Sequence, residues 1–321
     1  MRFLGRLFVL SAAVLSLTGC GQQKELKRSG FYLDTIFEVQ INVDGKKEIV
    51  SRETRSLSSA FDRLVELDAN INKLSPLSEI SALNAHAGVR MLELSKLTYD
   101  LLEKSLYASA FTDGYFDIAW YPLTRAFETS TPSEERLERL RAAAVHHNIV
   151  LDKSLRRARY LHNNAAVDFD RIKTGFAVDL ICGYLKDIKS GQVRAGGVGY
   201  YYGPRRLIFK ATEKQNIVIK ADNAAVAELD AAVPYYARSG RWRPCLPVPA
   251  APDTDPIRQV IVVAPNAVTA EVLANAFYFM GVEKSLAKIA EIKKQTSRQS
   301  MYEVYFVLAE GDSARIVSSA E

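Results

Sequence analysis

Four histidines and three cysteines are the residues whose chemistry is easiest to read. His86, His146, His147 and His162 fall at no spacing that sets imidazoles around one metal ion. His146 and His147 are neighbours, so on a helix their side chains diverge; a surface position is expected for all four. No P-loop, Gly-x-Ser-x-Gly or Cys-x-x-Cys occurs. Gly197-Val198-Gly199 with Gly203 is misspaced for a dinucleotide fingerprint. Tyr200-Tyr201-Tyr202 followed by Gly203-Pro204 reads as strand and turn, so Rossmann-type binding is rejected.

Cys20 closes an N-terminal segment with its own logic. Arg2 and Arg6 precede an apolar run, Leu7 to Leu17, that is too short for the roughly 20 residues a membrane span needs. Leu17-Thr18-Gly19-Cys20 resembles a bacterial lipoprotein signal, in which Cys20 is acylated and becomes the first residue. Residues 1–19 are then a signal peptide and 20–30 a lipidated polar tether. The expected location is the bacterial cell envelope, lipid-anchored and facing the periplasm or cell exterior. Such a compartment permits a disulfide between Cys182 and Cys245, although sequence does not show that they meet. Cys182 lies on an apolar helical stripe, which favours a buried thiol.

The elements that must position any site follow from composition and patterning. The 321 residues are 48% hydrophobic and 25% charged, which is globular composition. The formal net charge of +5 falls by two once Arg2 and Arg6 are removed, and no segment interleaves Lys/Arg with aromatics, so no nucleic-acid partner is expected. Gln22 to Gly30 reads as tether. Phe37, Val39, Ile41 and Val43 alternate with polar residues as in a half-buried strand. Leu57 to Leu74 has helical spacing, Ser78 to Asn84 a short helix, and Ser95 to Phe111 another. Thr131-Pro132-Ser133-Glu134 reads as a capping box with Pro at the first helical position.

Short strands are expected at Ile149–Leu151, Arg159–His162 and Ala166–Asp168, then a helix from Gly175 to Ile188 and strands through Ile219. Residues 239–255 form a Pro-rich loop. A strand from Ile257 to Val263, helices from Thr269 to Met280 and Glu283 to Ile292, and a strand from Tyr302 to Ala309 complete the chain. The mixed order argues α+β, without regular βαβ alternation.

Several segments, taken in order, resemble the ApbE-type FAD:protein FMN transferases. Leu33-Asp34-Thr35 stands where that family has Met-Gly-Thr. Leu74 to Asn84 resembles the segment after its first helix. Thr112-Asp113-Gly114-Tyr115-Phe116-Asp117 resembles Thr-Gly-Gly-Ala-Phe-Asp, and Asp168 to Asp179 resembles Asp-Leu-Gly-Gly-Ile-Ala-Lys-Gly-Tyr-Ala-Val-Asp. Ala195-Gly196-Gly197 resembles the Gly-Gly of the next strand end. Ala270 to Gly281 resembles Ala-Asp-Ala-Leu-Ala-Thr with its trailing Met-Gly.

The resemblance implies one large domain over residues 31–310, of mixed sheets with packed helices. It also implies Mg²⁺-dependent transfer of FMN from FAD to a threonine of a partner protein, with release of AMP. Carried over by position, Leu33, Leu74, Tyr115, Phe116, Asp117, Asp168 and Thr174 would line the flavin nucleotide site. Glu271 and Asn275 fall where the family has its metal-binding Asp and Thr, and still offer oxygen; a plain i, i+4 pair on an amphipathic helix is the competing reading. Arg171 falls where a backbone group contacts the metal. The resemblance assigns no catalytic base.

The chain departs from the pattern at Asp34, at Asp170-Arg171-Ile172-Lys173-Thr174, at Val233-Pro234-Tyr235, and at Cys245-Leu246-Pro247-Val248, where the family's His-x-x-Asp is missing. A non-catalytic envelope lipoprotein that binds flavin or a partner is therefore the second expectation.

Overall fold

Alternation along the first strands builds the main sheet. In a computed structural model of the chain, which describes residues 23–129, 132–231, 235–237, 241–243, 257–297, 301–310 and 313–320, Phe37, Val39, Ile41 and Val43 of strand β2 (Thr35–Asp44) are all buried on one face. The preceding residues correct an expectation. Gln23 to Gly30 is not tether but most of strand β1 (Gln23–Tyr32), antiparallel to β2 from Gln23 opposite Asp44 to Tyr32 opposite Thr35. Lys24, Leu26 and Arg28 alternate as its half-buried residues, and Arg28 lies 4.5 Å over the Phe61 ring. Basic side chains with long apolar stems fill positions where a strand normally shows aliphatic residues.

Helix α1 (Lys47–Ile71) buries Leu57, Phe61, Leu64 and Leu67, and ends before Leu74 because the Leu74 N–H donates to Asn72 Oδ1 in a local turn. Then come α2 (Glu79–Ala85), β3 (Leu92–Glu93), α3 (Lys96–Phe111), α4 (Tyr121–Thr129) and α5 (Glu134–Ala143). The cap of α5 is Ser133, whose side chain accepts from the Arg136 N–H; Pro132 therefore stands outside the helix rather than at its first position. Strands β4 (Ile149–Asp152) and β5 (Arg157–Tyr160) join β3 in a three-stranded sheet of order β3-β5-β4.

The expected strand at Ala166–Asp168 does not form. The Asn84 side chain takes the place of a partner strand, donating to Val167 O and accepting from Val167 N, while the Asp168 N–H donates to Ile118 O. Helix α6 (Lys173–Tyr184) stops four residues short of Ile188, which instead opens β6 (Ile188–Ala195). Strands β7 (Val198–Lys210), β8 (Asn216–Asp230), β9 (Tyr235–Ala237), β10 (Arg241–Arg243) and β11 (Ile257–Ala264) follow, then α7 (Ala267–Met280), α8 (Val282–Gln295), β12 (Glu303–Glu310) and β13 (Ser313–Ser318). Residues 241–243 of the expected Pro-rich loop are thus strand β10, paired with β9; residues 239–240 and 244–255 of it lie outside the described residues.

The main sheet has the order β1-β2-β6-β7-β8-β11-β12-β13, antiparallel throughout. It begins at Gln23 and ends at Ser318, so the fold extends beyond 31–310 at both ends. Helices α1, α3, α6 and α7 cover one face and form the larger core. Tyr201, Ile219, Val226, Ile261 and Val307 form a smaller core on the other face. This is the expected α+β architecture.

Candidate functional site

The site begins with a close helix contact. At the start of α6, Gly175 packs so near α7 that a Cβ there would lie 2.5 Å from Ala267 O. That approach lets the Gly175 N–H donate to Glu271 Oε2 at 2.6 Å. Glu271 and Asn275 sit one turn apart on α7, both buried. Val272, Leu273, Ala276, Phe279 and Met280 of the same helix are buried as well. Burial pushes the Glu271 carboxyl up to about 8, against the opposing pull of the Gly175 N–H and the Lys173 ammonium. Asn275 Nδ2 donates to Glu271 O at 2.8 Å, and its Oδ1 is buried without a hydrogen-bond partner.

A charged network adjoins this pair. Lys73, just past α1, reaches Asp168 at 3.0 Å and Asp170 at 2.5 Å; Lys173, at the start of α6, reaches Asp170 at 2.8 Å and Asp34 at 3.2 Å. Burial opposes the charge on both lysines, yet the carboxylates outweigh it and hold both ammonium groups above the ordinary lysine value. Burial likewise opposes ionisation of Asp170, and Lys173 and Lys73 outweigh it, so its carboxyl lies below the usual range. Asp34 comes from the tip of the β1–β2 hairpin, where Leu33 and Asp34 have φ 51° and 65°. A two-residue hairpin of that kind demands positive φ at both positions. Aspartate tolerates this conformation, which explains how Asp34, and Asp113 at φ 53°, can stand where the family has glycine.

The residues carried over by resemblance divide. Asp168, Thr174, Glu271 and Asn275, with Arg171 and with Leu33 beside Asp34, belong to one neighbourhood: Thr174 helps to hold the Glu271 carboxyl down against burial, the Lys73 and Lys173 network ties in Asp168 and Asp34, and the Arg171 guanidinium lies 4.9 Å over the Trp120 ring, itself 5.2 Å from Phe279. Phe116 and Asp117 are buried, and Asp117 is hydrogen-bonded to Ala119 N and His146. Leu74 is 53% exposed, and the Tyr115 hydroxyl accepts instead from Lys284 Nζ at 2.8 Å.

His146 is not the surface residue expected. Its Nδ1 lies 2.6 Å from Asp117 Oδ2, which also accepts the His146 N–H, and its ring packs at a tilt against His147, 4.1 Å away, rather than diverging, because the pair sits in a tight 3₁₀ turn. Cys182 is half-buried; Cys245 and the lost His-x-x-Asp segment lie outside the described residues. Lys73 and Asp170 were missed by sequence reasoning, and the one available signal was the Asp-x-Asp at 168 and 170. Among the described residues, no three His, Cys, Asp or Glu side chains gather as a metal-binding group.

The ApbE family model matches residues 33–298. The chain is 23% identical over 306 residues to the FAD:protein FMN transferase of Vibrio cholerae, covering 87% of this chain and 89% of that one. It is also 23% identical over 306 residues to the enzyme of the same description from Haemophilus influenzae, covering 87% and 88%. Among solved structures, the apo flavinyl transferase ApbE of Pseudomonas stutzeri has a TM-score of 0.74 at 20% identity, covering 94% of this chain and 96% of that one. The flavin transferase ApbE from Vibrio cholerae has a TM-score of 0.72 at 19% identity, covering 93% and 98%. The fold is that of the flavin transferases. The chain belongs to the ApbE family.

Proposed function

We propose that the chain is an exported, lipid-anchored flavin transferase that moves FMN from FAD to a threonine hydroxyl of a partner protein, with Mg²⁺ at Glu271 and Asn275. The observation that carries this reading is the buried, unpartnered Asn275 Oδ1 one helical turn from the buried Glu271 carboxyl. Two hard oxygen donors on one helix face suit a divalent cation that takes its remaining ligands from phosphate oxygens and water. A bound cation would offset diphosphate charge and favour ionised Glu271.

The chain's own residues supply the rest. Lys73 and Lys173 are held by Asp34, Asp168 and Asp170, and Arg171 lies over the Trp120 ring, so an arriving diphosphate finds two lysines already engaged by carboxylates. Binding requires Lys73 or Lys173 to exchange carboxylate for phosphate oxygen, and Arg171 to leave or extend beyond the Trp120 ring. Transfer breaks the phosphoanhydride bond of FAD, forms a phosphorus–oxygen bond to the threonine, and expels AMP.

A flavin titration decides between readings. FAD binding to wild type that tightens with Mg²⁺, and loses that gain in Glu271→Gln, supports the transferase site. Metal-independent binding that is lost in Arg171→Ala supports the second reading, a repurposed flavin binder, which the Arg171–Trp120 stacking favours. Release of AMP with a threonine-bearing acceptor separates the two. Absence of FAD binding in all three proteins overturns both.

A further inference from the structure

A cavity of 1080 Å³ opens between α3, α6, β7, α8 and the first half of α7, on a different face of α7 from Glu271 and Asn275. None of the flavin-site residues named above lines it. Its walls are aromatic. Tyr107 and Phe111 stack at 6.0 Å on α3, Tyr200 and Tyr202 meet edge to face at 4.9 Å on β7, and Tyr302 adds a fifth ring. Its volume matches the upper end of small-ligand sites.

The polar groups narrow the ligand. The Tyr202 hydroxyl is buried against the Cys182 thiol without a well-formed hydrogen bond. A thiol is a weak acceptor, so this hydroxyl is a donor still in need of an oxygen. The start of α7 does not serve anions here. Asp179 already accepts the Ala267 and Val268 N–H groups at 2.7 and 2.9 Å, and Asn266 accepts that of Thr269. Lys104 at the wall acts on the Asp179 carboxylate, and Glu103 pairs with Lys153 at 3.3 Å. Charge therefore favours no phosphate or carboxylate.

We propose that this cavity is a second binding site, for a planar, uncharged aromatic ring bearing carbonyl oxygens, stacked among the tyrosines and hydrogen-bonded by Tyr202. A quinone and a free flavin-type ring share that chemistry. Burial pushes the Cys182 thiol up to about 12, so it stays protonated and leaves a bound ring unattacked.

Two probes separate the sources: duroquinone, whose fully methylated ring does not add thiols, and lumichrome, a flavin ring without ribityl or phosphate. Titration calorimetry of the full chain is expected to show saturable binding of one or both at roughly 10–100 µM, as suits ligands of this size. Tyr202→Phe weakens it about fivefold, the loss of one neutral hydrogen bond, and Gln295→Trp, which places a bulky ring at the exposed rim, weakens it further. Glu271→Gln leaves probe binding unchanged, and neither cavity variant alters FAD affinity, so failure here and failure of the transferase reading are read separately. Absence of binding by both probes near 1 mM, or binding that survives both cavity variants, overturns the proposal.

Discussion

Glu271→Gln is the most informative single substitution. The native carboxyl has moved from an ordinary 4.5 to about 8 because it is buried. At about 1.4 kcal/mol for each tenfold change in proton affinity, holding it ionised without a cation opposes folding by up to about 5 kcal/mol. The native state keeps its proton between about 4.5 and 8, where the unfolded chain has released it. Its contribution to stability is thus full below 4.5 and lost progressively as pH rises through 8.

Glutamine keeps the shape, and its carbonyl oxygen can still accept the Gly175 N–H. Urea unfolding at pH 5 and pH 8.5 should show wild type losing about 2–5 kcal/mol more than Glu271→Gln across that interval. Mg²⁺ added at pH 8.5 should restore wild type and leave the variant unmoved. Parallel loss of stability in the two proteins would refute the burial argument; a wild type indifferent to Mg²⁺ would remove the metal from it.

Leu273 is fully buried on α7, so Leu273→Ala should destabilise by about 2–5 kcal/mol in the same unfolding assay, and a change below about 0.5 kcal/mol would show the helix face to be misassigned. Cys20→Ala should abolish incorporation of a fatty-acid label in cells; retained label would end the lipoprotein reading.

Where one side chain decides one face, the sequence could be read. The alternation from Phe37 to Val43 appears in the structure as the pattern predicts, because β2 buries one apolar face, and the apolar run of α7 appears as a helix buried on nearly every side. Segments held by side-chain to backbone bonds were not legible in the same way. Asn84 satisfies Val167 in place of a strand, and Asn72 turns the chain before Leu74 can continue the helix. β1 was hidden by charge, since Lys24 and Arg28 occupy inward positions with their stems. The site was legible in Glu271 and Asn275 only through family resemblance. The lysine–aspartate network joins residues 34, 73, 168, 170 and 173, distances along the chain that no local pattern spans.

The early start of β1 bears on reach. With Gln23 already in the sheet, the proposed anchor at Cys20 would stand three residues away, at most about 10 Å of extended chain. That is a fraction of the roughly 30 Å hydrocarbon thickness of a bilayer. If the proposed anchor holds, a domain so closely moored could not sweep the space above the membrane in search of substrate. Its encounters would become a two-dimensional matter, decided by which neighbours diffuse past in the same leaflet. A target threonine would have to be carried close to the lipid surface, or on a segment long enough to come down to it.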